Sequence, residues 1–218
     1  MAERPVARSP IRPIPPTGVR DGWEVSLLRS HAALRLSDWS PLTKVLVRAS
    51  GSGRVAERLG VRFGSAAYDG DGPLVVGSGP GEWLLLDRPH ALADVLTRFD
   101  TSDDELVSVV DATHGRALVR LTGVEAVEVL SKVCAIDLAD HVTPHGAAFR
   151  TSVADVATDV VRDDVRGSEA TEPSYLLHCE RASGQFLFDA LLDAGREFGI
   201  EVDGFRLDDA RDLGADDR

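Results

Sequence analysis

The chain has 218 residues, 43% of them hydrophobic, and a formal charge of −12 from 24 basic and 36 acidic side chains. A chain of this length buries about 70% of its unfolded surface, so it needs no disulfide or structural metal to fold. Its negative charge disfavours nucleic acid and anionic membranes as partners, and no apolar run approaches the roughly 20 residues of a membrane span.

The two ends of the chain differ from the rest in composition. Residues 1–22 hold five of the eleven prolines and four arginines, which predicts an extended, mobile arm, either solvated or strapped over an acidic partner. No apolar run follows these arginines, so a signal peptide is not expected. Residues 207–218 hold five aspartates and are predicted to be a frayed acidic tail. The folded part is therefore predicted to span residues 23–206.

The first motif in the folded part is Gly79-Pro80-Gly81, with a strand-like run on each side at 74–77 and 83–86. A phosphate-binding glycine loop needs a helix after its glycines, because the helix N-terminus holds the phosphate. Here a strand follows, which predicts a tight turn without a nucleotide site. Trp83, at the start of that strand, is predicted to lie in the core or in an interface.

Periodicity predicts the later elements. A helix is expected over 92–99, and Thr122 with Glu125 matches a capping box that opens a second helix. Predicted strands and the last helix follow from alternating and i, i+3, i+4 apolar patterns at 106–113, 117–121, 147–153, 175–179 and 187–198.

These elements predict an α+β fold, because strands outnumber helices and short turns join several of them. An aromatic-led strand followed by an amphipathic helix occurs near Trp83 and again near Tyr175. Two packed small α+β units, about 23–104 and 105–206, with mixed or mainly antiparallel sheets and helices on one face, would produce this repetition. The polar segment Asp163–Pro173 is predicted to be a flexible loop between two strands.

The metal-ligating side chains lie in patterns typical of turns. His141 and His145 flank Pro144 in a loop, so turn residues are favoured over a zinc pair. Asp155, Asp159, Asp163 and Asp164 lack the glycine of a calcium loop and are interpreted as turn and surface carboxylates. Cys134 and Cys179 are far apart and in apolar surroundings, which predicts buried free thiols in a reducing cytoplasm.

The densest set of functional groups is the segment from Asp111 to Arg116. An Asp and a His three residues apart could cooperate in acid–base chemistry, although no nucleophile elbow occurs anywhere in the chain. The alternative is structural, with His114 and Gly115 at a tight turn and Arg116 pairing with a carboxylate.

Three segments, in this order and spacing, resemble the gamma subunit of heterotetrameric sarcosine oxidase. They are residues 74–86 with Gly-Pro-Gly-Glu-Trp-Leu-Leu, residues 110–123 with Val-Asp-Ala-Thr-His-Gly-Arg, and residues 126–148 with Ile-Asp-Leu and Pro-His-Gly. Ser40-Pro41-Leu42 fits the same pattern, and the resemblance covers about residues 38–200.

The resemblance implies the fold of the folate-binding domain of the glycine-cleavage aminomethyltransferase. It also implies a cytoplasmic complex with alpha, beta and delta subunits that converts sarcosine to glycine, hydrogen peroxide and a one-carbon unit on tetrahydrofolate. In such complexes the large subunit carries NAD and a folate site, and another subunit carries the flavins FAD and FMN. The gamma subunit of such a complex holds no redox cofactor, so no catalytic, cofactor-binding or metal-ligating residue is assigned to this chain. The structural or interface candidates here are then Gly79, Pro80, Gly81, Trp83, His114, Gly115 and Arg116.

Three features keep other functions open. The arm and the 163–173 loop depart from the family pattern and leave room for a relative that serves a related N-methyl amino acid oxidase. A stand-alone, folate-binding, aminomethyltransferase-like protein would need a carboxylate near the folate ring, and Asp111 is the candidate. A relative that assists iron–sulfur maturation would carry Lys-Gly-Cys, whereas Lys132-Val133-Cys134 has valine in the middle.

Overall fold

The computed structural model describes residues 5–70, 72–99, 106–166 and 171–206. The helices in these ranges are α1 (Arg54–Leu59), α2 (Leu92–Thr97), α3 (Ala126–Val133) and α4 (Gly184–Gly195). The strands in these ranges are β1 (Ala7–Arg8), β2 (Thr17–Arg20), β3 (Trp23–Ser26), β4 (Leu34–Asp38), β5 (Thr43–Arg48), β6 (Ala66–Tyr68), β7 (Leu74–Gly79), β8 (Glu82–Asp87), β9 (Ser108–Asp111), β10 (Arg116–Gly123), β11 (Ala148–Val153), β12 (Val156–Arg162), β13 (Val165–Arg166), β14 (Thr171–Glu172), β15 (Ser174–Glu180) and β16 (Glu201–Asp203).

Two larger sheets organise the fold. The six-stranded sheet has the order β11-β12-β15-β10-β4-β16, and it is antiparallel except for β16, which runs parallel to β4. The five-stranded sheet has the order β6-β7-β8-β5-β9 and is antiparallel throughout. Helices α3 and α4 pack on one face of the first sheet, and α1 and α2 pack on one face of the second. The predicted α+β class with mixed and antiparallel sheets is confirmed.

Side-chain alternation in the central strands divides the apolar residues among three cores. In β10, Ala117, Val119 and Leu121 face α3 and α4. The intervening Leu118 faces the other way, into a core shared by the two sheets. A strand that is buried on both faces has a nearly continuous run of apolar residues in its sequence. The strand predicted from such a run at 117–121 is confirmed as part of β10.

The division of the chain near residue 104 that the sequence suggests does not follow the sheets. Strand β4 precedes that point but pairs with β10, and β9 follows it but pairs with β5. Each larger sheet therefore contains a strand from the other part of the chain. Strand partners are chosen by long-range hydrogen bonding and core packing, which a boundary drawn along the sequence does not capture.

The predicted mobile arm is folded over residues 5–22, so that prediction is wrong for this range. Strands β1 and β2 flank β3 in a small three-stranded sheet. Ile11 is 1% exposed and belongs to the core beneath α4. The proline content indicated the extended backbone correctly, but burial of this isoleucine holds the segment in place. The acidic tail predicted at 207–218 lies outside the described residues.

Two local predictions are corrected by pairing across the sheet. Thr122 does not cap α3, because it lies in β10 and its Oγ1 is 3.0 Å from the Ser174 Oγ on β15. The helix begins at Ala126 without a side-chain capping bond. The predicted flexible loop at 163–173 has paired ends, since β13 and β14 form an antiparallel ladder and Asp163 is buried.

Candidate functional site

The Gly79-Pro80-Gly81 segment is the turn between β7 and β8, as predicted. Gly81 has a φ of +69°, and a Cβ on it would lie 2.4 Å from the carbonyl oxygen of Ala49. The Ala49 N–H also donates to the Gly81 carbonyl oxygen over 3.0 Å. The turn therefore packs against the end of β5 and needs glycine for steric reasons.

Trp83 is a core residue. It is 4% exposed and lies among the side chains that α1 and α2 cover. Its Nε1–H donates to the Val61 carbonyl oxygen over 2.8 Å. This bond anchors the loop after α1 to the five-stranded sheet and satisfies the indole N–H in the interior.

The structure does not bring Asp111 and His114 together as an acid–base pair. The Asp111 carboxylate accepts a hydrogen bond from the Thr113 N–H over 2.9 Å. The His114 ring instead stacks on Trp23, with ring centroids 4.8 Å apart. Gly115 makes the turn, its N–H donating to the Ala112 carbonyl oxygen. The structural interpretation of this segment therefore fits the geometry.

Arg116 pairs with a carboxylate, as the structural interpretation expected. Its Nη1 lies 2.7 Å from the Glu180 carboxylate on the neighbouring strand β15. The glutamate side chain is 68% exposed, so this pair is worth at most about 1 kcal/mol. The pair helps to set the register of β10 against β15 rather than forming a chemical site.

A buried lysine, which the sequence analysis missed, joins this turn to the start of β5. The Lys44 side chain is wholly buried, and its Nζ donates to the carbonyl oxygens of Ser40, Leu42 and Thr113 over 2.7, 2.8 and 3.3 Å. Burial lowers the pKa of the amine to about 7, against the opposing effect of nearby carboxylates. Its position in an apolar strand, Thr-Lys-Val-Leu-Val, was the available signal.

A buried ion pair lies between the two larger sheets. The Arg120 Nη2 is 2.8 Å from the Asp163 carboxylate, and both side chains are 4% exposed. The Tyr68 hydroxyl donates to the same carboxylate over 3.0 Å, and burial, then the Asp163 charge, raises the tyrosine pKa. The guanidinium also donates to Ser174 Oγ and lies 4.5 Å from the centre of the Trp39 ring. Asp163 was predicted to be a surface carboxylate, and that prediction is wrong.

A second charged group lies on the same sheet face. Asp159 accepts hydrogen bonds from Arg150 over 2.6 and 3.1 Å, and its carboxylate is 3.4 Å from the Nδ1 of His178. Burial alone would raise the Asp159 pKa, but the bonds from His178 and Arg150 outweigh it and hold the pKa at about 2. Burial lowers the pKa of His178, so its ring is neutral near pH 7 and donates from Nδ1.

The predicted metal-ligand candidates have other partners. His145 Nδ1 accepts from the Asp164 N–H over 3.0 Å, and the Asp164 carboxylate pairs with Arg162. Asp155 occupies a turn with a φ of +63°. Over the described ranges, no three His, Cys, Asp or Glu side chains are grouped as a metal site. Cys134 and Cys179 are buried free thiols, as predicted.

No helix in the described part of the chain has the length and apolarity needed to span a membrane.

No family model and no curated protein matches the chain. A chain of the heterotetrameric sarcosine oxidase from Corynebacterium sp. U-96, solved with pyrrole 2-carboxylate, superposes with a TM-score of 0.63 and 26% identity, over 78% of this chain and 88% of that chain. The chain resembles a sarcosine oxidase subunit.

A second similarity concerns the fold alone. The glycine cleavage system aminomethyltransferase T from Bartonella henselae superposes with a TM-score of 0.64 and 18% identity. The match covers 89% of this chain and 56% of that chain, so this sarcosine oxidase-like chain spans little more than half of the transferase. The fold is therefore similar to that of this aminomethyltransferase.

Proposed function

We propose that this chain is the non-catalytic gamma subunit of a cytoplasmic sarcosine oxidase complex. Its partners would be alpha, beta and delta subunits, which would hold FAD, FMN, NAD and tetrahydrofolate. The complex would convert sarcosine to glycine, hydrogen peroxide and a one-carbon unit on tetrahydrofolate. The observation that carries the proposal is the similarity to one chain of such a heterotetramer over 88% of that chain.

The geometry of the interior supports a bracing role. Charged side chains in the interior and at its edge engage one another or the backbone: Lys44 binds three carbonyl oxygens, Arg120 pairs with Asp163, and the partly buried Asp159 is held by Arg150 and His178. Groups engaged in this way hold loops and sheets together, and catalysis would have to disrupt those contacts. A rigid body of this kind suits a subunit that stabilises a larger partner.

Exposed apolar side chains offer docking contacts. Phe63 and Phe186 are 63% and 59% exposed, and Val124 and Val110 are 59% and 51% exposed. Burying an aromatic side chain contributes about 1.5–3 kcal/mol, so either phenylalanine could anchor a subunit interface. A subunit that docks through them is stabilised by its partner and less soluble when produced alone.

The proposal is tested by purifying the affinity-tagged chain from its native host and recording subunit masses with the visible absorption spectrum. We expect larger subunits to co-purify with flavin absorbance. The tagged variants Phe63→Ser and Phe186→Ser, each checked by circular dichroism, then identify the docking side. A colourless single species that is stable alone would show that the proposal is wrong.

The second candidate is a stand-alone, folate-binding, aminomethyltransferase-like protein, which the fold similarity favours. Such a protein needs a carboxylate near the folate ring, and the candidate is Asp111, which is exposed at the end of β9. Titration of the purified chain with 5-formyltetrahydrofolate tests it. Saturable binding that is lost in Asp111→Ala but kept in Asp94→Ala would support this candidate, and an absence of binding would exclude it.

A further inference from the structure

The folded N-terminal arm forms one wall of an open groove of about 600 Å³. Arg8 and Arg12 line this groove from the arm, while Glu24 of β3 and Gln185 of α4 line it from the body. Over residues 5–20 the arm carries three arginines and no acidic residue, on a chain whose formal charge is −12. The groove therefore concentrates positive charge on an otherwise acidic protein.

The backbone of the arm is held in place at both arginines of the groove. The Arg8 carbonyl oxygen accepts a hydrogen bond from the Arg181 Nη2 over 2.8 Å, and the Arg12 N–H donates to the Gln185 Oε1 over 2.6 Å. Between them, Ile11 is 1% exposed in the core beneath α4. The wall of the groove is thus formed before any partner binds, which lowers the entropy lost on binding.

The guanidinium groups of the same two arginines remain available. The exposed Arg12 guanidinium has no carboxylate within ion-pairing distance among the described residues. The Arg8 side chain is 81% exposed and lies 3.8 Å from Glu24, whose side chain is 40% exposed. An exposed pair of this kind is worth at most about 1 kcal/mol, so another carboxylate can compete for Arg8. Guanidinium groups with free donors are suited to bidentate binding of carboxylates.

The prolines of the groove decide which kind of carboxylate partner fits. Pro10, Pro13 and Pro15 also line it, and they have no backbone N–H with which to pair an added strand. Recognition therefore depends on the arginine charges and on contacts with the proline rings, and an extended acidic protein segment can make both. A nucleic acid strand fits less well, because two arginines neutralise few phosphates and the remaining surface of this acidic protein repels the strand.

We propose that the arm groove binds an extended acidic segment of a partner protein, with carboxylates of that segment paired to Arg8 and Arg12. Both arginines are exposed to solvent, so salt weakens the binding. The inference depends on the groove alone and is independent of the proposed subunit function.

Fluorescence anisotropy of a fluorescein-labelled octa-aspartate peptide, titrated with the full-length chain in about 50 mM sodium chloride, tests the proposal. We expect saturable binding that weakens when the salt is raised to about 300 mM. Arg8→Glu combined with Arg12→Glu should weaken the binding at least about tenfold, because two ion pairs are replaced by repulsion. A neutral peptide of the same length, built of serine and asparagine, should not bind.

The matched control is Arg88→Glu combined with Arg196→Glu. These arginines are 59% and 80% exposed and do not line the groove, so their reversal changes the net charge equally and elsewhere. The control should bind octa-aspartate within about twofold of the wild type. Circular dichroism shows whether each variant is folded. If both double variants lost affinity equally, net charge and not the groove would explain the binding, and the proposal would be wrong.

A measurement on the wild type alone keeps the test independent of the variants. On addition of octa-aspartate, the ¹⁵N amide signals of the groove residues Thr17 and Gln185 are expected to shift along a saturation curve. Shifts confined to residues outside the groove would overturn the proposal, as would an absence of saturable binding. Tighter binding of a labelled octathymidylate than of octa-aspartate would assign the groove to nucleic acid and overturn it too.

Discussion

The buried Arg120–Asp163 pair yields the sharpest stability prediction. Asp163→Asn removes one charge and leaves the Arg120 guanidinium 4% exposed without its counter-ion. Breaking a buried pair from one side costs about 3–5 kcal/mol, because the remaining charge is uncompensated in the interior. The asparagine still offers an oxygen to the Tyr68 hydroxyl, so the measured loss reports mainly on charge.

The assay is urea unfolding followed by tryptophan fluorescence, to which Trp39 beneath the Arg120 guanidinium contributes. Asp94→Asn is the matched control: the Arg88–Asp94 pair has nearly the same distance, 2.7 Å, but its side chains are 59% and 65% exposed. Screening by water limits the loss in the control to about 1 kcal/mol. The losses of unfolding free energy in the two variants are compared only if their m-values equal that of the wild type. A changed m-value would report a change in the surface exposed on unfolding.

A double substitution separates charge from packing. Arg120→Met combined with Asp163→Asn removes both charges, and we expect it to be less destabilising than Asp163→Asn alone. The two single losses should therefore not add, because the residues contact each other. If Asp163→Asn destabilised the protein no more than Asp94→Asn, the buried-charge reasoning would be refuted.

Three further predictions follow from the same structure. Because the pKa of Lys44 is lowered to about 7 in the folded protein, the unfolded chain binds more protons above about pH 7. The free energy of unfolding of the wild type should therefore rise from pH 7 to 8.5, by up to about 1.4 kcal/mol per pH unit. Urea unfolding of Lys44→Met at the same pH values should not show this rise. Gly123→Ala should lower the free energy of unfolding by more than about 4 kcal/mol, because φ is +139° and the new Cβ would lie 2.0 Å from the Ala33 carbonyl oxygen. Gly199→Ala, which has open space around the new Cβ, should lower it by about 1–2 kcal/mol. Thermal unfolding measures both losses. Ile11→Ala should cost about 2–5 kcal/mol in urea unfolding, since the residue is 1% exposed in the core, and a negligible loss would show that the arm does not contribute to that core.

Much of the fold was predictable from local pattern. The strands at 117–121 and 175–179 and the last long helix appear where periodicity placed them, as β10, β15 and α4. The Gly79-Pro80-Gly81 turn was predictable because the strand after it rules out a phosphate loop. Strand alternation, helix periodicity and glycine turns are properties of neighbouring residues, and they can be read without knowing the partners.

The buried polar groups were less predictable. Asp163 looked like a loop carboxylate because its neighbours in sequence are charged, yet its partner Arg120 is 43 residues away. Lys44 is buried because three backbone carbonyl oxygens converge on its amine. A charged side chain is buried only where the tertiary structure supplies partners, so its own sequence context cannot show which outcome occurs.

The sequence by itself determined the α+β class, the tight turn at Gly81, the buried thiols and the resemblance to a sarcosine oxidase subunit, because these depend on composition, short-range pattern and ordered motifs. Only the tertiary structure decided that the arm folds against α4 and that Asp111 and His114 do not form an acid–base pair. It also placed β4 in the six-stranded sheet and β9 in the five-stranded sheet. Those outcomes depend on which distant surfaces bury one another, and that competition is resolved by the whole chain.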